Sequence, residues 1–453
     1  MQKRFISKAL CLLVVLVIAG GVFSGCGSSN SGNTETSSAQ TTASQTTQAN
    51  SPADVKGTAA LWTWDKGTED ATVAEFNKVY PNVKIDVLAV GYDDYINKIQ
   101  TSVAGGSDLG DILLGEMGFR ARLLKMDLLD NLEAAPYNVD KSKFLDYTVP
   151  LTSFDGKMVA FEGSITVGGL AYKANLAKQY LGTDDPAELE KTLNTWDVMT
   201  AKAKEVQQKS GGKVYLFHAW ADIQEYFDCF GSEPWTQDNK PTDYLLNTMP
   251  SQRYKILKDM IAAKGFDKTI SDHYTPAMNA AIADDNHIFL NAAAWTPAFV
   301  IQPNDKNGNG KWRIMEAPGG PYNMGGTMYG IWKGSKNKEA AFAYLNWAFG
   351  TDEGVMGNVT ARGFYVPLKS FIDTHDFSKD TNPYFAPQNI ADKFMKQMAP
   401  KNKVRAPELY MNQIKEAFKV AETTVINDSS VTEAKYKEIL TKEIKDKCPD
   451  LQW

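Results

Sequence analysis

The chain is poor in the residues that build metal centres and covalent frameworks: 453 residues hold only four cysteines and four histidines. His218, His273, His287 and His375 show no metal-ligand spacing, so no metal is expected. A Gly-x-Ser-x-Gly elbow and a phosphate-binding glycine loop are both missing, which removes the motif-bearing hydrolases and nucleotide binders. No cofactor is implied, and no fixed-period repeat points to a solenoid. Positive charge is in deficit, with 48 bases against 54 acids and a net charge of −6. Residues 1–25 carry Lys3, Arg4 and Lys8 and no acid, so without them the net charge is −9. That balance disfavours nucleic acid or anionic lipid as the main partner.

What is present begins with a targeting segment. A basic start precedes one apolar run, residues 9–22, which is short for a bilayer-spanning helix. Phe23-Ser-Gly-Cys26 follows and resembles a bacterial lipoprotein signal, in which a small residue precedes the cysteine lipidated after cleavage. Phe23 stands where leucine is usual, and the alternatives are an ordinary signal peptide or an uncleaved anchor. Residues 26–56 are rich in Ser, Thr, Gln, Asn and Gly and cannot bury a core. They read as a tether reaching on the order of 30 Å. With Cys11 in the signal and Cys26 lipidated, Cys229 and Cys448 remain, either bridged or as two separate thiols.

The rest has 43% hydrophobic and 23% charged residues in the whole-chain count, as in a globular protein with room for about two or three domains. Ala59-Ala-Leu-Trp-Thr-Trp64 is short enough for a buried strand. Val73, Phe76, Val79 and Tyr80 then recur at helical spacing. Thr68 is expected to cap this helix, with Glu69 and Asp70 in the first turn, where negative charge suits the dipole. Pro81-Asn82 stops it, and residues 84–90 return as a strand. Ligands bind beyond the carboxyl ends of such strands, here at Trp64, Asp65 and Lys66: a flat apolar face beside an acid and a base.

The pattern continues in order. Residues 92–104 read as a helix and 111–114 as a strand, with Glu116 and Arg120 in the crest loop that follows. A helix over 119–129 leads to a two-sided strand at 168–172. Residues 181–206 read as helical around Thr195-Trp196, and 214–217 as a strand ending at His218-Ala-Trp220. Residues 223–230 and 244–264 read as helices, 287–290 as a strand, and Asn291-Ala-Ala-Ala-Trp295 as the opening of another helix. Strands at 312–315 and 329–332, a helix over 337–349 and a helix-rich tail complete it. Alternating strands and helices argue for α/β lobes.

Three stretches in this order carry a resemblance: Glu75-Phe-Asn-Lys-Val-Tyr-Pro-Asn-Val-Lys-Ile85, Ala104-Gly-Gly-Ser-Asp-Leu-Gly-Asp-Ile112, and Gly325-Gly-Thr-Met-Tyr-Gly-Ile-Trp-Lys-Gly-Ser-Lys-Asn-Lys-Glu-Ala-Ala341. Over residues 57–453 the chain resembles the extracellular solute-binding proteins of bacterial ABC importers, in the carbohydrate group that includes maltodextrin-binding proteins. The resemblance implies an α/β, two-lobed periplasmic-binding-protein-like fold with a hinge and an interlobe cleft. One lobe would be 57–161 plus 328–376, the other 166–324 plus 380–453, with hinge segments near 162–168, 325–327 and 376–380. It implies a monomer that closes on a sugar and serves transmembrane permease subunits of an ABC importer. Lipidated Cys26 would hold it at the outer face of the cell membrane.

Carried over, the sugar contacts are Trp64, Asp65 and Lys66, Glu116 and Arg120, Glu162, Trp220 and Trp295. Aromatic faces stack on a pyranose, and charged groups bind its hydroxyls. The second crest departs from the maltodextrin pattern, which leaves the sugar, its length and its linkage open. Trp196, Trp312 and Trp347 are expected in cores, and Trp62, Trp235 and Trp332 stand between packing and cleft. Arg120 and Glu162 are also candidates for a structural ion pair. Asp305, Asn307, Asn309 and Glu316 have the spacing of a calcium loop, or of a Gly/Asn-rich turn before a strand. The rival functions are a secreted glycoside hydrolase and a binding protein for a non-sugar solute.

Overall fold

The computed structural model describes residues 51–453; the expected signal segment, Cys26 and most of the tether lie outside them. Ten strands matter for the site: β1 (Gly57–Thr63), β2 (Val83–Ala89), β3 (Ile112–Glu116), β4 (Phe161–Glu162), β5 (Val167–Lys173), β6 (Tyr215–Phe217), β7 (His287–Ala293), β8 (Trp312–Met315), β9 (Tyr322–Asn323) and β10 (Thr327–Ile331). They form two sheets. The first has the order β2-β1-β3-β10-β4, parallel through β2-β1-β3 and antiparallel where β10 joins β3 and β4. The second has the order β8-β5-β7-β6, with β9 also paired to β5.

Six helices position the site: α1 (Lys66–Val79), α2 (Tyr95–Ala104), α3 (Trp220–Cys229), α4 (Lys338–Gly350), α5 (Asp352–Arg362) and α6 (Met411–Asn427). The fold is mixed α/β. Among the described residues no helix is long and apolar enough to cross a membrane. Helix α1 buries Val73 and Phe76, and Phe76 meets Tyr344 and Trp347 of α4 edge-on. Residues 51–56, assigned to the tether from sequence, make a turn whose Ala53 carbonyl accepts from Asn82, while Val55 packs against the first core.

The chain passes between sheets at 163–166 and again at 324–326. These passages run side by side: the Met324 N–H donates to Thr166 O at 2.9 Å, and Thr166 Oγ1 donates to Gly325 O at 3.1 Å. Gly325 and Gly326 have φ of +86° and +117°, which only glycine adopts readily. A Cβ on Gly326 would come within 2.8 Å of Glu162 Oε1. The interior forms two core clusters, one shared by the first sheet and one face of the second, the other on the second sheet's opposite face, and the half-buried Met117 and Trp295 pack against both.

Four local expectations are corrected. Helix α1 starts at Lys66, with Asp65 rather than Thr68 as N-cap; Asp65 Oδ1 accepts from the Thr68 N–H at 3.2 Å. Residues 291–293 extend strand β7 because they pair with β5 and are buried on both faces. The helix after Phe119 covers only Arg120–Lys125, since Asp127 turns to φ +52° and Leu129 bridges to Trp332. The helix expected over 181–206 is two helices, Pro186–Thr192 and Trp196–Ser210, preceded by Ala174–Leu181, which Gly182 ends at φ +97°. Cys229 and Cys448 are both free, one half-exposed and one buried.

Candidate ligand-binding site

In the first sheet β1 lies between β2 and β3, although β2 precedes β3 in the chain. That order places a topological switch point between β1 and β3, where open parallel sheets bind ligands outside their carboxyl ends. Trp64 and Asp65 follow β1 there, and Glu116 ends β3. A cavity of about 230 Å³ opens at this crest. Its first wall is Tyr92, Glu116, Met117 and Gly118; its second is Glu225, Asp228 and Cys229 of α3 with Asn412 and Lys415 of α6.

Glu116 is locked in place: its Oε2 accepts from Tyr92 Oη at 2.7 Å and from the Gly118 N–H at 2.6 Å. Burial first, and the neighbouring Glu116 carboxylate second, raise the Tyr92 phenol, so it remains a donor. Trp64 is half-buried behind Tyr92, meeting it edge-on at 5.4 Å and packing the same way on Tyr95 and Phe119. Across the cavity Lys415 Nζ stands 3.8 Å from Glu225 Oε1 and 3.7 Å from Cys229 Sγ. Burial opposes the charge on Glu225, but Lys415, His273, the Cys229 hydrogen bond and Arg253 together outweigh it and the pKa is lowered. Burial likewise opposes the Lys415 ammonium, yet the carboxylates of Glu225 and Asp228 carry its pKa upward. Burial and then Glu225 push the Cys229 thiol well up, which leaves it protonated and unreactive.

The sequence-named residues separate into distinct surroundings. Glu116 lines the cavity. Trp295 is half-buried near its rim, donating from Nε1 to Met324 O at 3.0 Å beside Gly325. Asp65 caps α1 and Lys66 pairs with Asp70 at 2.7 Å; both are exposed and outside the lining. Arg120 and Glu162 form a bidentate pair at 2.6 and 3.2 Å, with both side chains essentially inaccessible. Burial raises the Glu162 carboxyl and Arg120 opposes it, so this pair sits beneath the crest as structure. Trp220 is only 4% exposed, and its Nε1 donates to Glu422 at 2.9 Å within the second core.

Of the other aromatics, Trp196, Trp312 and Trp347 are buried, as are Trp62 and Trp235. Asp305 Oδ2 accepts from Trp312 Nε1 at 3.0 Å and Glu316 pairs with Lys401 at 2.6 Å, so the two acids of the suspected calcium loop have separate partners. Sequence reasoning missed Tyr92, Glu225, Asp228, Asn412 and Lys415. Tyr92 carried a usable signal, being an aromatic just past the second strand and level with the Trp64 crest. The helix residues carried none, since amphipathic spacing does not say which polar face lines a cleft.

The profile of the bacterial extracellular solute-binding proteins matches residues 71–386. The arabinooligosaccharide-binding protein of Bacillus subtilis (strain 168) is 23% identical over 396 residues, covering 83% of each chain. The sugar-binding protein MalE of Xanthomonas citri superposes with a TM-score of 0.70 at 16% identity, over 86% of this chain and 97% of that one. The GacH receptor of Streptomyces glaucescens, solved unliganded and with acarbose, gives a TM-score of 0.65 at 17% identity, over 88% of this chain and all of the other. The two structures share this α/β fold, with a crest-side cavity here in the position where such folds take ligands. This chain belongs to the bacterial extracellular solute-binding protein family.

Proposed function

We propose that the protein is a membrane-tethered substrate-binding lipoprotein that captures an oligosaccharide and delivers it to an ABC importer. The first sheet with α1, α2, α4 and α5 forms one lobe, the second sheet with α3 and α6 the other. The paired passages at 163–166 and 324–326 act as the hinge. The observation that carries this reading is the cavity itself, walled by the crest of one sheet and by two helices packed on the other sheet's side. Its lining suits a neutral, hydroxyl-rich ligand. Glu116, Glu225 and Lys415 supply charge-assisted hydrogen bonds, while Tyr92, backed edge-on by Trp64, supplies aromatic surface. The likeness to an arabinooligosaccharide-binding protein points the same way.

The chain binds and does not hydrolyse. Glu162 is locked to Arg120 beneath the crest, out of reach of a bound ligand. Lipidation at Cys26 anchors a monomer to the outer face of the membrane, beside the permease subunits. Calorimetry against linear arabino- and malto-oligosaccharides tests the reading, with reducing-end release followed in the same samples. Saturable heat with no new reducing ends is expected. Hydrolysis would make the protein an enzyme, and binding of a non-sugar solute alone would remove the oligosaccharide.

A further inference from the structure

A second cavity, of about 370 Å³, lies farther along the same two helices. On α3 the positions Ala221 and Gln224 line the far cavity, while Glu225 and Asp228 line the near one. The spacing i, i+3, i+4, i+7 puts all four on one helical face. On α6 the far cavity takes Lys419 and Thr423, and the near cavity takes Asn412 and Lys415, again a single face. The helices run antiparallel: Glu225 stands 3.8 Å from Lys415 at one end, and Trp220 bonds Glu422 at the other. From Asn412 to Thr423 the α6 face rises roughly 16 Å at 1.5 Å per residue.

Two residues after Asp272 of the far cavity, and in neither lining, stands Tyr274, 52% exposed, with a left-handed φ of +58°. A bulky residue seldom takes that conformation, so the surrounding loop holds it against a cost. Its ring lies 6.3 Å from Trp295, near the rim of the near cavity. The far cavity has a mixed lining, with Trp220, Phe266 and Ile270 beside polar side chains. Lys419 is paired with Asp272 at 2.5 Å, Lys268 caps the Ile426 carbonyl at 3.2 Å, and Gln224 and Thr423 offer uncharged donors and acceptors.

We infer that the far cavity is a second subsite, continuous with the first, which receives the distal units of a linear oligosaccharide. The α3–α6 face then measures chain length, and Tyr274 is the platform at the junction. This inference rests on the oligosaccharide reading of the near cavity.

Calorimetry with linear arabino- and malto-oligosaccharides of two to six units tests it, on wild type, Lys419→Ala and Thr423→Trp. Thr423 is exposed, so the indole fills the groove without entering a core. For the wild type, affinity should rise about tenfold or more from the shortest to the longest oligomer of the series bound. In both variants that ratio should fall towards one, with melting curves showing them folded. Should Thr423→Trp unfold, the ratio in Lys419→Ala decides alone. Binding that ignores length, or a ratio that survives in the folded variants, overturns the second subsite and leaves the near site standing. Absence of binding by every oligomer overturns both.

Discussion

Asn412 Nδ2 donates to the Gly118 carbonyl oxygen at 2.7 Å, joining the first turn of α6 to the crest loop after β3 across 294 residues of sequence. The approach is tight enough that any larger residue would push its neighbours aside by a few tenths of an ångström. A Cβ on Gly118 would stand 3.0 Å from both Glu116 Oε2 and Tyr92 Oη, and 3.1 Å from Asn412 Nδ2. The bond closes the cavity on one side, and it links the two walls directly.

If those walls belong to lobes that open and close, this bond favours the closed arrangement by about 1 kcal/mol. Asn412→Ala should then weaken ligand binding several-fold and enlarge the unliganded molecule in solution scattering. An unchanged radius with unchanged affinity would show that the contact does not bias closure.

Arg120 and Glu162 are expected to contribute to folding rather than to ligand binding. Glu162→Gln leaves the Arg120 guanidinium buried without its counter-charge, and loss of such a partner costs about 3–5 kcal/mol. Thermal or chemical denaturation should show the loss. A normal melting curve combined with weakened binding would instead make Glu162 a ligand contact.

Trp295 packs against both cores and stands at the cavity rim. Trp295→Ala is expected to weaken oligosaccharide binding by roughly 1–3 kcal/mol, on the order of tenfold to a hundredfold in affinity. Trp295→Phe keeps a flat face and removes only the donor to Met324, so it should retain most of the affinity. Equal losses in the two variants would assign the effect to the lost hydrogen bond.

His218 makes folding stability sensitive to acid. Its Nδ1 lies 2.9 Å from Phe289 O, its ring stacks on His287 at 4.5 Å, and burial and then His287 lower its pKa to about 4. An unfolded histidine titrates near 6.5, so the unfolded chain takes up a proton first as pH falls. The neutral form's contribution is complete above about pH 6.5 and declines towards pH 4, by about 3 kcal/mol in all. His287, also lowered, acts in the same direction. His273 has a pKa raised by Asp222 against the effect of burial and acts oppositely, its contribution lost as pH rises through its folded value. Denaturant melts at pH 7 and pH 5 should show a smaller stability difference in His218→Gln than in wild type; an identical difference would remove His218 from the account.

Local spacing determined much of this molecule. The Ala59–Val90 unit, the buried Trp312 strand and the polar crest carrying Glu116 follow from periods of two and 3.6 and from turn residues, which act within a few positions of one another. Cap choice was already ambiguous at that range: Asp65 and Thr68 are both good N-caps, and the chain uses the earlier one.

Tertiary structure decided what each polar or aromatic side chain does. Trp220 belongs to a core because Glu422, 202 residues later, accepts its N–H, and Arg253 clamps that carboxylate from a third helix. Residues 291–293 are strand because β5 pairs with them, although their composition suits a helix equally well. Arg120 meets Glu162 rather than a ligand because β4 lies two strands away from β3 in the first sheet. The cavity itself joins α3 to α6, and only folding brings together groups so distant in the chain; burial then settles which of them stay charged and which remain available to a ligand.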